Sequence, residues 1–362
     1  MAPTAPARYQ TSYAQARRLL AGRRSRAGAA AVLIVLALLP FVLPAYYLGE
    51  LTFILIMGVG SLGLMMLTGY TGQVSLGQAA FVGIGAYVHA ILLTHGVPLP
   101  LSLIATAAAA GLCGLVIGLP AIRVSGLHLA MVTLAFAIVT EHVLGRWKSV
   151  TGGFSGLQVP DPALFGLSLG GPRAFYFFCL VVLLLVLVGL ANLLRGSIGR
   201  ALIGVRDSEA AAQALGIHVA RVKVLAFVIS AAVSGLAGAL LAHQTQFITP
   251  DAFGLALSLQ LVLMVFIGGM GSLRGALFGA VLIGLLPALI SAFKPLLPAR
   301  LAGQFGLELF VYGAVLVFFV LLEPRGLNGR WLKLTAFVAQ FPLVRRRPAR
   351  RVKAYMQSER YR

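Results

Sequence analysis

No Asp, Glu, Lys or Arg falls between Glu50 and Arg123, and apolar runs of similar character recur almost to the C-terminus. About 20 residues of α-helix cross the hydrocarbon core of a bilayer. Divided at that length, the pattern predicts ten helices, near 28–48, 50–69, 78–95, 99–119, 126–144, 173–194, 223–243, 257–272, 275–293 and 305–322. Pro98, Pro100 and Pro295 fall between runs, where a residue without an amide hydrogen interrupts the helical ladder. The predicted fold class is all-α, a polytopic transmembrane helical bundle of about ten helices.

Composition supports lipid as the solvent. The chain is 59% hydrophobic and 10% charged, against roughly 25% charged residues in soluble domains. Its 42 glycines suit a bundle whose helices approach closely. A net charge of +20 would suggest nucleic acid if it were spread over a polar surface, but it is concentrated at the ends. Six arginines lie at or before Arg26, and eleven Lys or Arg lie from Arg325 to Arg362. Such clusters belong beside anionic lipid on the cytoplasmic face, and no nucleic-acid partner is expected. The chain divides into a basic N-terminal segment (1–27), a transmembrane domain (28–322) containing a cytoplasmic loop (195–223), and a basic C-terminal tail (323–362). With both termini inside, only Arg146, Lys148, Arg173, Lys294 and Arg300 of the 29 basic residues lie outside. The first apolar run lacks a small-residue cleavage pattern around Leu43–Tyr46, so it is expected to be retained. Cys113 and Cys179 sit in apolar runs and suggest neither a disulfide nor a metal site.

Gly114 and Gly118, and Gly275 and Gly279, are spaced to share a helix face, which predicts close helix packing. Two glycine-rich segments differ from these pairs, one running from Gly69 to Gln78 and one from Gly268 to Gly275. Each leads into Ser-Leu-x-x-Ala-x-Phe, at Ser75 and at Ser272, a pattern consistent with an internal duplication.

No phosphate-binding Gly-Lys-Ser/Thr loop and no His-Glu-x-x-His pattern occurs, so the chain is not expected to be an enzyme. Gln73, Ser75 and Gln78 put polar side chains into an apolar, glycine-broken stretch, which predicts either a solute path or a tight turn. A second polar concentration contains His128, Thr133, Glu141 and Thr151-Gly152-Gly153. Glu141 is expected near an outer helix end, reaching water or Arg146, and His128 also admits a purely structural role. Between Arg200 and Gly216 a short helix is expected, capped by Asp207 or Ser208 and stopped at Gly216. Too short to be stable alone, it reads either as a solvated connector or as a docking element.

Four ordered fragments carry a family resemblance: Gly69-Tyr70-Thr71-Gly72-Gln73-Val74-Ser75-Leu76-Gly77-Gln78, Thr133-Leu134-Ala135-Phe136 with Thr151-Gly152-Gly153-Phe154-Ser155-Gly156, Arg206-Asp207-Ser208-Glu209 through Gly216, and Phe266-Ile267-Gly268-Gly269-Met270-Gly271-Ser272. With them the chain resembles the LivM-type inner-membrane permeases of ATP-binding-cassette importers for branched-chain amino acids. The resemblance implies a homologous second permease, two cytoplasmic ATPase subunits and an external or periplasmic solute-binding protein. ATP and magnesium are then expected in the ATPases, with no cofactor or metal in this chain. It implies a multi-pass protein of the bacterial inner membrane. Gln73, Ser75, Gln78, His128, Thr133 and Thr151–Gly153 are the candidate path or gate residues, taken from their polar groups and glycines in otherwise apolar stretches. The Ala211-Ala212-x-x-x-Gly216 spacing resembles the permease coupling-loop motif, and with it Arg206, Asp207, Glu209, Ala211, Ala212 and Gly216 are the candidate ATPase-coupling residues. Ala210 stands where the broader motif has glutamate, with Glu209 one position away, so the acidic contact does not transfer directly. Permeases for urea or short amides share this pattern, and a secondary transporter or channel is the alternative from a different class.

Overall fold

The computed structural model describes residues 23–164, 167–168, 170–293, 307–322 and 326–340. The basic residues before Arg23, residues 294–306 with Lys294, Pro295 and Arg300, Arg325, and the residues from 341 onward lie outside the described residues. The helices are α1 (Arg23–Val42), α2 (Ala45–Leu64, continued by a π-turn at Met65–Gly69), α3 (Gln78–Thr94), α4 (Leu99–Gly118), α5 (Leu127–Arg146), α6 (Pro172–Arg195), α7 (Ser197–Asp207), α8 (Glu209–Ala214), α9 (Val219–Thr245), α10 (Leu255–Gly268), α11 (Leu273–Phe293), α12 (Leu307–Leu322) and α13 (Gly326–Gln340). Two short antiparallel pairs, Leu157–Gln158 with Phe247–Ile248 and Ala163–Leu164 with Leu167–Ser168, tie connecting segments together.

Every predicted crossing contains a helix, but several bounds shift for identifiable reasons. The predicted 28–48 crossing breaks near Pro44, which caps the start of α2 instead of extending α1. The predicted 257–272 crossing ends at Gly268 because Gly269 turns the backbone to φ 108°. Among the described residues seven helices, not ten, are long and apolar enough to cross a bilayer. α3 has 17 residues, or about 26 Å at the helical rise, because the glycine-rich segment before it is not helical. The expected C-terminal tail also begins as a helix, α13. Its Gly326 packs against Gly269 at φ 62°, and the Trp331 ring lies 5.5 Å from that of Phe278.

α2 and α9 form the centre, with 89% and 67% of their apolar windows buried, whereas α5 and α6 are only 28% and 22% buried. Ile104, Leu112 and Val116 on α4, and Met131, Ile138 and Val139 on α5, point outward. Exposed leucines and valines of this density suit a surface facing hydrocarbon or another transmembrane chain. Small residues bring the central helices together. A Cβ on Gly114 would stand 2.5 Å from the Ala231 Cβ and 2.8 Å from the Phe227 carbonyl oxygen, and one on Gly118 would stand 3.2 Å from Phe227. α4 therefore lies directly on α9. In the α10–α11 hairpin, Gly275 faces the Gly268 and Gly269 carbonyls, and Gly279 faces that of Met264, which leaves no room for side chains.

Candidate functional site

The last turn of α2 widens into a π-turn before the chain leaves helical geometry, a distortion often associated with functional positions. The following residues fold back on it. The Gln73 amide donates to the Leu67 carbonyl at 3.2 Å, the Thr68 hydroxyl donates to the Gln73 carbonyl at 3.2 Å, and the Thr71 hydroxyl bonds the Leu67 carbonyl. Gly72 supplies the φ of 71° that this reversal requires. The segment is thus an ordered break that these bonds pin to the end of α2.

Within this break the structure brings together four of the expected residues. Gln73, Ser75, Gln78 and Thr133 are all buried. Thr133 accepts from the Leu76 amide at 3.0 Å, and the absence of a side chain at Gly77 lets its backbone sit on the Thr133 carbonyl. The Gln78 amide nitrogen donates to the Ser230 hydroxyl at 2.9 Å and also bonds the Ser234 hydroxyl. Ser258 accepts from the Ala79 amide at 3.0 Å. The serines were not singled out from sequence, although Ser230 and Ser234 lie four apart on one face of an apolar helix. Both ends of the Gln73 side-chain amide are buried without a hydrogen-bond partner among the described residues. A stranded amide costs on the order of 1–3 kcal/mol, so its placement there calls for a reason beyond packing.

The other expected path residues lie elsewhere. His128 is exposed at the start of α5 and joins none of this network. Thr151 is buried, and its hydroxyl bonds the Leu144 and Trp147 carbonyls at 2.6 and 2.8 Å and accepts from Gly153 at 3.2 Å. With Gly152 and Gly153 at φ 72° and 63°, Thr151 closes the opposite end of α5, about 20 Å from Thr133 along the helix. Glu141 lies beside Gly254 and forms no ion pair with Arg146, contrary to one of the expected arrangements. Near that same end an unanticipated polar cluster joins α3, α4 and α9: the Nε2 atoms of His89 and His243 are 2.8 Å apart, and the Ser102 hydroxyl is 3.0 Å from His89 Nδ1.

The 195–223 loop is more built than the sequence suggested. Ser208, not Asp207, caps α8, accepting from the Ala211 amide at 3.2 Å. Gly216, at φ 81°, ends it in a Schellman turn: its amide donates to the Gln213 carbonyl at 2.9 Å, and the Ile217 amide donates to that of Ala212 at 3.0 Å. Val205, Ala212 and Val219 form a small apolar cluster of their own. Glu209 pairs with the buried Lys223 at 2.7 Å, which anchors α8 to α9. The outward side carries Ala210, Ala211, Ala214 and Leu215, the last 81% exposed.

The loop meets the glycine-rich break directly. Arg206 Nη1 donates to the Gly69 carbonyl at 3.1 Å, while its Nε and Nη2 donate to Asp207 Oδ1 at 3.1 and 3.0 Å. The second glycine-rich segment reaches the same place, where the Gly271 amide lies 3.3 Å from Met65 Sδ. The Ser75 and Ser272 hydroxyls each receive a backbone amide at a helix start, from Gly77 at 3.3 Å and Gly275 at 2.8 Å. Tyr70, just beyond the α2 span, is half-buried there. Burial raises its phenol above the ordinary value, and the Leu273 backbone and Arg206 oppose that shift. Among the described residues no group of three or more His, Cys, Asp or Glu is arranged to hold a metal ion.

Among the described residues seven helices are long and apolar enough to cross a membrane, and glycine-rich breaks interrupt the bundle they form, an architecture that suits a transport permease. Residues 46–320 match the family described as branched-chain amino acid transport system / permease component, and the chain belongs to that family. It is a membrane permease subunit and has the all-α architecture expected of one. The chain is 32% identical over 326 residues to the high-affinity branched-chain amino acid transport system permease protein LivM of Salmonella typhimurium, covering 82% of this chain and 73% of that protein. It is 28% identical to the probable branched-chain amino acid transport permease protein LivH of Methanocaldococcus jannaschii, covering 76% and 89%. It is 30% identical to the autoinducer 2 import system permease protein LsrC of an Enterobacter species, covering 70% and 72%. No solved structure matches the chain.

Proposed function

We propose that this chain forms part of an inner-membrane importer for leucine, isoleucine and valine, pairs with a homologous second permease, and is driven by two ATPase subunits that bind ATP and magnesium. An external solute-binding protein delivers the amino acid, and both termini and the α7–α8 loop face the cytoplasm. Gln73, Ser75, Gln78 and Thr133 lie along the solute path near the loop end, and Thr151–Gly153 sit toward the external mouth. His128, exposed and outside the network, is left out of the path.

The observation that carries the coupling role is the outward face of α8. A six-residue helix is unstable alone, yet this one is capped at both ends, held on its own apolar cluster and ion-paired to α9. It presents three alanines and Gln213 to the outside, with Leu215 just beyond its end. Such a rigid, smooth surface suits a groove on a partner, and a solvated connector needs none of it. Motion of the ATPases would then be delivered through α7 and α8 to the bundle. A branched aliphatic side chain crosses on ordinary packing surfaces, while uncharged amide and hydroxyl groups serve the zwitterionic head without leaving a charge stranded.

Reconstitution with the partner permease, ATPases and binding protein tests this. ATP-dependent uptake of labelled leucine in preference to labelled urea is expected. Uptake driven by an ion gradient without ATPases refutes the importer reading, and leucine uptake indifferent to disruption of Ala211–Gly216 refutes the coupling assignment. Dominant uptake of urea keeps the architecture and changes the cargo.

A further inference from the structure

Arg206 stands at a junction that the loop's docking surface does not explain. It occupies the last turn of α7, next to Val205 of the loop's apolar cluster, and its partly exposed guanidinium reaches the end of α2 through Nη1. Three pieces of backbone surround it. The π-turn of α2 presents the Gly69 carbonyl, freed from regular helical pairing, at 3.1 Å. Gly72, at φ 71°, runs beside the side-chain stem, where an added Cβ would lie 3.1 Å from Arg206 Cγ. Gly271, at φ 81° between α10 and α11, lies so close that an added Cβ would be 3.0 Å from Nη1. A side chain at either glycine would press on the arginine.

We propose that Arg206 is a positioning residue that clasps the two glycine-rich breaks to the coupling loop, so that displacement of α7–α8 reaches the end of α2 and the α10–α11 hairpin together. This rests on the importer reading above. The cap and Schellman turn hold α8 together, and Val219 and the Glu209–Lys223 pair tie α7–α8 to the start of α9, so the loop moves with that end of α9. The Gly271 amide lies on Met65 Sδ in the π-turn that ends at Gly69, so a pull on the Gly69 carbonyl reaches the α10–α11 segment through that turn. The Asp207 carboxylate fixes the guanidinium from the side away from Gly69 through two further donors, which limits how far the clasp can swing independently of α7.

The test uses the complete reconstituted importer, with labelled leucine uptake and ATP hydrolysis measured on the same proteoliposomes. Arg206→Ala removes a charge-assisted hydrogen bond, and leucine imported per ATP should fall on the order of tenfold, while the hydrolysis that the ATPases show without binding protein is retained and its stimulation by the binding protein is weakened. Arg206→Lys, which keeps one donor and the charge, should recover part of that ratio. Gly271→Ala leaves Arg206 intact but strains the backbone at φ 81° as well as placing a methyl against Nη1, so it should lower the ratio together with thermal stability, whereas Arg206→Lys should lower the ratio alone. Size-exclusion chromatography checks assembly, and if Arg206→Ala does not assemble, the lysine and Gly271 variants carry the test. A ratio unchanged in the assembled variants, or uptake and hydrolysis falling in equal proportion, overturns the clasp. Failure of the unmodified complex to import leucine with ATP counts against the importer reading instead.

Discussion

Replacing Gly114 by alanine tests whether backbone proximity holds the centre of the bundle. A Cβ there would lie 2.5 Å from the Ala231 Cβ and 2.8 Å from the Phe227 carbonyl oxygen, where ordinary contact is 3.4–4 Å. The carbonyl belongs to the α9 backbone and cannot rotate aside, so α4 and α9 must separate by roughly 1 Å, loosening every contact between them. Overpacking of this kind costs about 1–3 kcal/mol, and alanine returns up to about 1 kcal/mol of helix propensity. The expected net loss is about 2 kcal/mol. Gly118→Ala, whose Cβ meets Phe227 at 3.2 Å, should lose less, and Gly189→Ala on α6, with nothing within 4 Å, should be neutral or slightly stabilising. Thermal unfolding of the purified permease in detergent, read by tryptophan fluorescence, should rank the three in that order. A Gly114→Ala protein as stable as the parent, or a Gly189→Ala protein equally damaged, refutes close approach as the cause.

Three further outcomes follow from the geometry. Glu209→Gln leaves Lys223, 3% exposed, without its partner, while the Glu209 side chain is itself 49% exposed; the cost should fall between a surface pair and a broken buried one, about 1–2 kcal/mol. A double-mutant cycle with Lys223→Met measures it, and an interaction energy near zero refutes the anchoring role. Gln78→Leu removes the donor to Ser230 and Ser234 and should change stability by about 1 kcal/mol or less while abolishing leucine uptake; uptake that declines only as the protein unfolds excludes Gln78 from the path. Leu215→Asp, on the 81% exposed tip beyond α8, should leave the isolated permease folded but weaken capture of the ATPase subunits in pull-down, and undiminished capture argues against docking there.

The membrane class and the helical content were legible because they depend on runs of residues and a local period. A stretch such as Glu50 to Arg123 cannot remain in water whatever its tertiary partners. Local chemistry also marked Gly216 as a helix stop and offered Ser208 or Asp207 as a cap, and only the backbone path selected Ser208. Helix bounds shifted at Pro44 and Gly269, where a single residue's dihedral angles decide. The α13 helix escaped notice because Gly326 and Trp331 gain their reason only from Gly269 and Phe278.

The candidate site divided along the same line. Gln73, Ser75 and Gln78 could be read as a polar, glycine-broken segment, but nothing local indicates that Gln78 meets Ser230 and Ser234, that His89 meets His243, or that His128 stays apart. Those pairings depend on which helices cross and at what rotation. The sequence by itself determined a multi-pass helical membrane protein with two glycine-rich breaks and a capped loop, because hydropathy and backbone preference act within a few residues. Only the tertiary structure decided that Arg206 of the loop lies between those two breaks, because α9 and α11 must first pack around α2 before residues so far apart in the chain can share one point.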